Sequence, residues 1–235
     1  MVVKKLLVKK NDNAMEDHKN AHKNLYSQEE LHNTEGNLLV DKKSYYVHNS
    51  SYIDENVKIG EGTKIWHFCH VQKNTEIGTN CSIGQNVNIA LNVKIGNNVK
   101  IQNNVSIYEG VELEDYVFCG PSSVFTNVKF PRSKYPQKGT EFYAKTLVKE
   151  GASLGANCTI VCGNTIGKHA FIAAGSVVVS DVPDYGFMIG VPAKRKGWIC
   201  ECGNKLDDEW KCNKCNKKYV ESDGKLSEVL DYADE

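Results

Sequence analysis

The sequence predicts an all-β chain wound as a solenoid of short parallel strands, and three observations carry that prediction. Aliphatic residues recur at every sixth position, from Ile53 through Ile59, Ile65, Val71, Ile77, Ile83, Ile89, Ile95, Ile101 and Ile107 to Leu113, with Cys119 and Phe125 closing the run. The positions two before these anchors, from Ser51 and Val57 to Val117 and Ser123, are all small or β-branched. Asn and Gly crowd the gaps, as in IGQNVNIALNVKIGNNVKIQNNVSI. Within each six, strand alternation turns the anchor and the residue two before it inward. The remaining residues form an outward turn, where Gly and Asn tolerate unusual dihedrals. A helix would wind a stripe of this period around its own axis, and separate hairpins would not hold so constant a spacing. Stacked coils, each burying the next, satisfy the pattern.

The chain divides in order. Residues 1–44 form a polar extension with a thin apolar face, expected to be weakly ordered and without a catalytic role. The solenoid is expected over 45–197. Its period breaks at 128–147, VKFPRSKYPQKGTEFYAKTL, and resumes at Val148, Leu154, Ile160, Ile166, Ile172 and Val178. A loop of that size in a strict repeat is expected to be functional. Residues 198–220 form a cysteine knuckle, and 221–235 an acidic, loosely ordered tail.

Composition narrows the function. Twenty-nine basic and 29 acidic residues balance, so no global field draws nucleic acid or an acidic membrane surface. No apolar run reaches the roughly 18 residues of a membrane span, and the basic opening MVVKKLLVKK lacks a signal-peptide core. The expectation is a soluble, cytoplasmic protein. Nine cysteines do not contradict it, because Cys200, Cys202, Cys212 and Cys215 pair up as metal ligands need and most of the others fall on core positions. Four thiolates on two short knuckles suit a tetrahedral structural zinc.

If one coil takes 18 residues, residues 18 apart stack. His67, Gln85, Asn103 and Pro121 then form one outward column, and Phe68, Asn86, Asn104 and Ser122 the next. His70, Asn88 and Ser106 form a third, while Glu109 and Asn127 stack elsewhere beside Tyr108 and Phe125. In the loop, Arg132 offers a planar fork for a carboxylate or diphosphate.

The run aliphatic-Gly-x-x-x-x resembles the hexapeptide-repeat acyltransferases. KIWHFCHV, GQNV, KIQNNVSIY, VFCGPSSVFTNV, TLVKEGASLGANCTIVCG and IGVPAKRKGW look like the N-acetyltransferases of nucleotide-linked 3-amino sugars. The resemblance implies a left-handed parallel β-helix with three hexads per coil, assembled as a homotrimer with sites between subunits. It implies acetyl-CoA as cosubstrate and surface polysaccharide biosynthesis as the setting. The acceptor it implies is UDP-2-acetamido-3-amino-2,3-dideoxy-glucuronate, with a dTDP-3-amino-3,6-dideoxyhexose as the alternative. It assigns Asn127 to orienting the amine or steadying an oxyanion; side-chain chemistry makes His67 or Glu109 the candidate general base, unless the departing thiolate takes the proton. His70, Asn86, Asn103, Asn104, Tyr108, Phe125 and Arg132 would hold the sugar nucleotide. Ala156 and Ala174 would let the pantetheine arm approach backbone amides, and Lys194 and Arg195 would meet the coenzyme's phosphates. Two readings of other classes stay open: a carbonic anhydrase-like metalloenzyme built on His48, His67, His70 and His169, and a non-enzymatic scaffold presenting the knuckle.

Overall fold

The computed structural model describes residues 31–32, 38–39, 44–137 and 139–229. The expectation for residues 1–44 therefore lies almost entirely outside the described residues. Of the unit Met1–Lys43, only an antiparallel pair is described, Leu31–His32 with Leu38–Leu39.

From Tyr46 onward, two-residue strands rotate among three sheets. Lys64–Ile65 belongs to the first face, His70–Val71 to the second and Glu76–Ile77 to the third, after which Ser82–Ile83 returns beside Lys64–Ile65. The parallel registers Lys64↔Ser82, His70↔Asn88 and Glu76↔Lys94 each span 18 residues, so one coil is three hexads. The first face holds nine strands, the second seven and the third six. Only the last strand of the first face, Lys194–Trp198, runs antiparallel to its sheet neighbour, which leaves about eight parallel turns.

Inside, the two inward columns behave as the period requires. Val87, Val93, Val99 and Val105 are at most 1% exposed, and Ile83, Ile89, Ile95, Ile101 and Ile107 at most 4%. Each fully buried aliphatic side chain of this size contributes about 1.5–3 kcal/mol relative to exposure. Polar members of the inward column before the loop, Ser51, Thr63 and Thr75, are satisfied across coils, whereas the buried hydroxyls of Ser123 and Thr146, on either side of the loop, have no partner among the described residues. The Thr63 hydroxyl donates to the carbonyl of Gly78 and accepts from the Cys81 amide, at 2.8 and 2.9 Å.

Turn geometry accounts for the asparagines. A left-handed residue recurs every six positions at Asn74, Asn80, Asn86, Asn92, Asn98 and Asn104, with φ between 55° and 61°. Asn tolerates this region better than other residues with a side chain. The glycines that follow anchors answer a different demand. A Cβ on Gly78 would sit 2.5 Å from the carbonyl oxygen of Gly96 in the next coil.

The loop enters without disturbing the stack. Leu113↔Val148, Cys119↔Leu154 and Phe125↔Ile160 are 35 residues apart where 18 is the rule, so seventeen residues are inserted. Beyond it, Leu154↔Ile172 and Ile160↔Val178 restore the spacing of 18. The insertion leaves the corner between the second and third faces, and its Phe130 and Tyr135 stand exposed.

The C-terminal module has its own core of Trp198, Cys200, Leu206, Cys212, Tyr219 and Leu226. Here the expected boundary at 220 is corrected. Tyr219–Ser222 and Lys225–Glu228 form one hairpin, and Leu226 is 4% exposed. A buried leucine on a paired strand anchors a segment whose acidic composition suggested a loose tail.

Candidate functional site

The corner between the first and second faces carries one unbroken column. The carbonyls of His67, Gln85, Asn103, Pro121 and Ala156 accept from the amides of Asn86, Asn104, Ser122, Asn157 and Gly175, at 2.9–3.0 Å. Predicted sugar-binding residues Asn86, Asn103 and Asn104 thus share an edge with His67 and with the predicted coenzyme residues Ala156 and Ala174. Side chains reinforce the line: Asn103 Oδ1 accepts from the Gln85 amide at 2.9 Å, and Asn86 Nδ2 donates to Asn104 Oδ1 at 3.0 Å. At the start of the column the His67 ring stacks on His48, with centroids 3.5 Å apart. Phe68, beside it, has φ 57°, a costly conformation for an aromatic residue. Its ring is 61% exposed.

Tyr108, Glu109, Asn127 and Arg132 lie elsewhere, on or beyond the corner between the second and third faces. Glu109 accepts from Asn92 Nδ2 at 2.8 Å, and the Asn127 carbonyl accepts from the Ala144 amide at 2.9 Å, which ties the base of the loop. Arg132 is exposed in the loop, with Nη1 donating to the Pro131 carbonyl at 2.9 Å. Within one chain the second face separates His67 from Asn127 and Glu109. The predicted catalytic residues therefore sit on its two edges and are not gathered at one point.

The second face is itself distinctive. Its outward strand positions are Tyr52, His70, Asn88, Ser106, Val124, Thr159 and Val177, with no acidic, Lys or Arg side chain. On the third face Lys58, Glu76, Lys94 and Glu112 alternate in sign down the stack. There Lys58 Nζ lies 2.7 Å from Glu76, a hydrogen bond that raises the lysine pKa and lowers that of the carboxyl. A shallow depression of about 480 Å³ on that face is lined by Glu76, Lys94, Glu112, Glu114, Asp115 and Glu150. None of the predicted site residues lines it.

His70 has a partner that column arithmetic does not find. Its Nε2 is 2.8 Å from Asp54 Oδ1, sixteen residues back and not eighteen. A carboxylate on Nε2 fixes that nitrogen as the donor and leaves Nδ1 as the acceptor. Two further expectations change. Phe125 is 1% exposed and points into the core, as its anchor position demands, so it offers no surface to a sugar. Arg195 is already engaged, with its guanidinium 4.0 Å over the Trp198 ring and 3.4 Å from Glu221, whereas Lys194 is exposed.

The four predicted metal ligands do meet. All four Sγ atoms lie within 4.8 Å of one another, with Cys200 to Cys215 at 3.4 Å and Cys202 to Cys212 at 3.5 Å. This is a donor set that fits zinc. Among the described residues it is the one cluster of three or more potential metal ligands. The histidines do not form another: His48 and His67 stack together, His70 pairs with Asp54, and His169 stacks on Tyr185 near the C-terminal module.

Residues 46–90 match the family described as bacterial transferase hexapeptide (six repeats). Over 93 residues the chain is 46% identical to the dTDP-3-amino-3,6-dideoxy-alpha-D-galactopyranose 3-N-acetyltransferase of Aneurinibacillus thermoaerophilus, covering 38% of this chain and 48% of the relative. Over 98 residues it is 32% identical to the galactoside O-acetyltransferase of Lactococcus lactis subsp. lactis, covering 41% and 47%. The chain thus spans about half the length of these curated relatives. Among solved structures, a mutant GDP-perosamine N-acetyltransferase from Caulobacter crescentus, in complex with CoA and GDP-perosamine, aligns with a TM-score of 0.45 at 27% identity. That alignment covers 64% of this chain and 55% of the other. Among the described residues, no helix is long and apolar enough to cross a membrane.

Proposed function

We propose that this chain, which carries the bacterial-transferase hexapeptide repeat, is an acetyl-CoA-dependent N-acetyltransferase acting on the 3-amino group of a nucleotide-linked sugar. The observation that carries the reading is the single corner column that joins His67 and the asparagines to Ala156 and Ala174. It offers an acceptor end and a coenzyme end on one edge. The 46% identity to a 3-amino-sugar acetyltransferase supports the same reaction.

The chemistry asks for a deprotonated amine, donors for the oxyanion that forms as the amine attacks the thioester, and alignment of the two. Asn amides at the corner orient hydroxyls and the amine. Asn127 steadies the oxyanion. The proton leaves to His67 or Glu109, or to the departing thiolate. His70, held by Asp54, presents Nδ1 as a further acceptor. The nitrogen–carbon bond forms as the carbon–sulfur bond breaks, and free coenzyme A departs.

Because His67 and Asn127 occupy opposite edges of the second face, a complete site needs two chains. In a homotrimer the first corner of one subunit lies against the second corner of its neighbour, and the loop carrying Arg132 reaches across. The second face suits such a contact, since its outward strand positions carry no acidic, Lys or Arg side chain and the Asp54 carboxylate at its edge is paired with His70, so no lone charge would need desolvation there. Cytoplasmic location and a role in surface polysaccharide biosynthesis follow from the sugar-nucleotide substrate.

The relative favours a dTDP-3-amino-3,6-dideoxyhexose as acceptor, and the wider motif set favours the UDP-linked 3-amino-glucuronate. Purified protein with acetyl-CoA and each acceptor in turn, followed by free-thiol release, decides between them. Absence of thiol release with both removes the proposal. With the glucuronate, Arg132→Ala is expected to raise KM about tenfold or more, since it strands a carboxylate. With the dTDP sugar it is expected to act only through the diphosphate.

A further inference from the structure

The solenoid ends in a strand edge that must be covered. Gly186–Ile189 is the last parallel strand of the first face, paired through Phe171↔Phe187 and Ile172↔Met188. Its outer edge is closed by Lys194–Trp198, antiparallel, with Met188↔Arg195 and Ile189↔Lys194. An unpaired edge of this kind is a template for association with other strands.

The covering strand is gripped from its far side by the cysteine module. Arg195 lies over Trp198 and reaches Glu221, which belongs to the module's hairpin. From the same hairpin strand, the Tyr219 hydroxyl is 3.1 Å from Cys200 Sγ. The Tyr219 ring lies 5.3 Å from the Tyr185 ring, at the entry to the last strand, and Tyr185 lies 5.3 Å from His169 in the preceding coil. The contacts that hold the strand therefore meet at the hairpin strand Tyr219–Ser222, whose Tyr219 touches Cys200, one of the four clustered thiols.

The module cannot close on apolar packing alone. Its core has six buried side chains, two of them the cysteines Cys200 and Cys212. A segment this small ordinarily needs a metal or disulfides to stay folded. Trp198 Nε1 is buried there without a hydrogen-bond partner, a further cost to the unaided module. Four soft sulfur donors within 4.8 Å of one another match tetrahedral zinc, whose bonds to thiolate are about 2.3 Å.

We propose that Cys200, Cys202, Cys212 and Cys215 hold one zinc ion, and that this ion locks an end cap on the solenoid. With zinc bound, Lys194–Trp198 stays paired to the last coil. Without it, the strand detaches while the earlier coils remain wound.

The test uses the full chain, since the module has not been separated from the solenoid. Elemental analysis is expected to find zinc at about one ion per chain. Zinc is then removed with a strong chelator under reducing conditions, and amide hydrogen exchange is compared before and after. Exchange over 186–198 is expected to accelerate about tenfold or more on metal removal, with 83–107 unchanged. Tyr219→Phe, which keeps the ring stack and removes only the hydroxyl contact to sulfur, is expected to retain zinc and accelerate the same segment by a smaller factor. Zinc well below one per chain, a different metal in its place, or equal exchange over 186–198 with and without zinc overturns the proposal. So does loss of protection throughout 83–107, because the ion would then hold the whole solenoid and not its end.

Discussion

His70 Nε2 lies 2.8 Å from Asp54 Oδ1, and both side chains are partly open to solvent at the second face. The carboxylate dictates which ring nitrogen carries the proton, so its removal changes chemistry with little effect on packing. Asp54→Asn is expected to lower kcat for acetyl transfer about tenfold, while the melting temperature stays within about 2 °C. Steady-state kinetics beside a thermal melt checks both halves.

Phe68 occupies the left-handed position of its hexad at φ 57°, where Asn86 and Asn104 stand in the coils beyond. An aromatic residue there costs about 1–2 kcal/mol that an asparagine largely avoids. Phe68→Asn is expected to stabilise the fold by about 1 kcal/mol and, if the exposed ring serves the acceptor, to raise its KM several-fold. Denaturant unfolding and substrate titration separate the two effects. A stabilised variant with unchanged KM leaves the ring no part in binding.

Burial lowers the pKa of His169, the neighbouring Lys168 charge adds to the effect, and Glu201 and Glu150 oppose it. Below the ordinary value of 6.5 the unfolded chain therefore binds a proton more readily than the folded one. Stability rises with pH through that window and is lost as pH falls through it, while above neutrality the imidazole is neutral in both states and adds no further pH dependence. Urea midpoints measured from pH 7.5 down to pH 5 are expected to decline, and less steeply in His169→Asn, which also suits the φ of 54° at that position.

Lys194 and Arg195 are adjacent but differently placed. Arg195 is bound to Trp198 and Glu221, so Arg195→Ala is expected to lower the melting temperature by several degrees through lost packing. Lys194→Ala is expected to leave the melt unchanged and to weaken coenzyme A binding about three- to tenfold, read by calorimetry. Equal effects from the two substitutions would contradict this division of roles.

The fold was legible because its period is an integer. Eighteen residues per coil lets simple counting place Asn86 on Asn104 and His70 on Asn88, and the registers agree. Counting also puts His67 and Asn127 on different corners, though chemistry alone would place them together. It misses diagonal contacts: Asp54 reaches His70 by side-chain length, and nothing in a period of eighteen anticipates an offset of sixteen. Phe125 shows the opposite failure. Strand alternation places it inward, and a functional reading of its neighbours cannot turn it round. In the tail, net acidity concealed Leu226, because one buried side chain on a two-stranded hairpin leaves almost no trace in composition.

The insertion after Asn127 has a consequence for how such proteins diversify. Rungs on either side close identically, so the spool is mechanically indifferent to what is spliced between them. Segments of other length and composition can be carried at that bend, residue by residue, without rewinding a single turn.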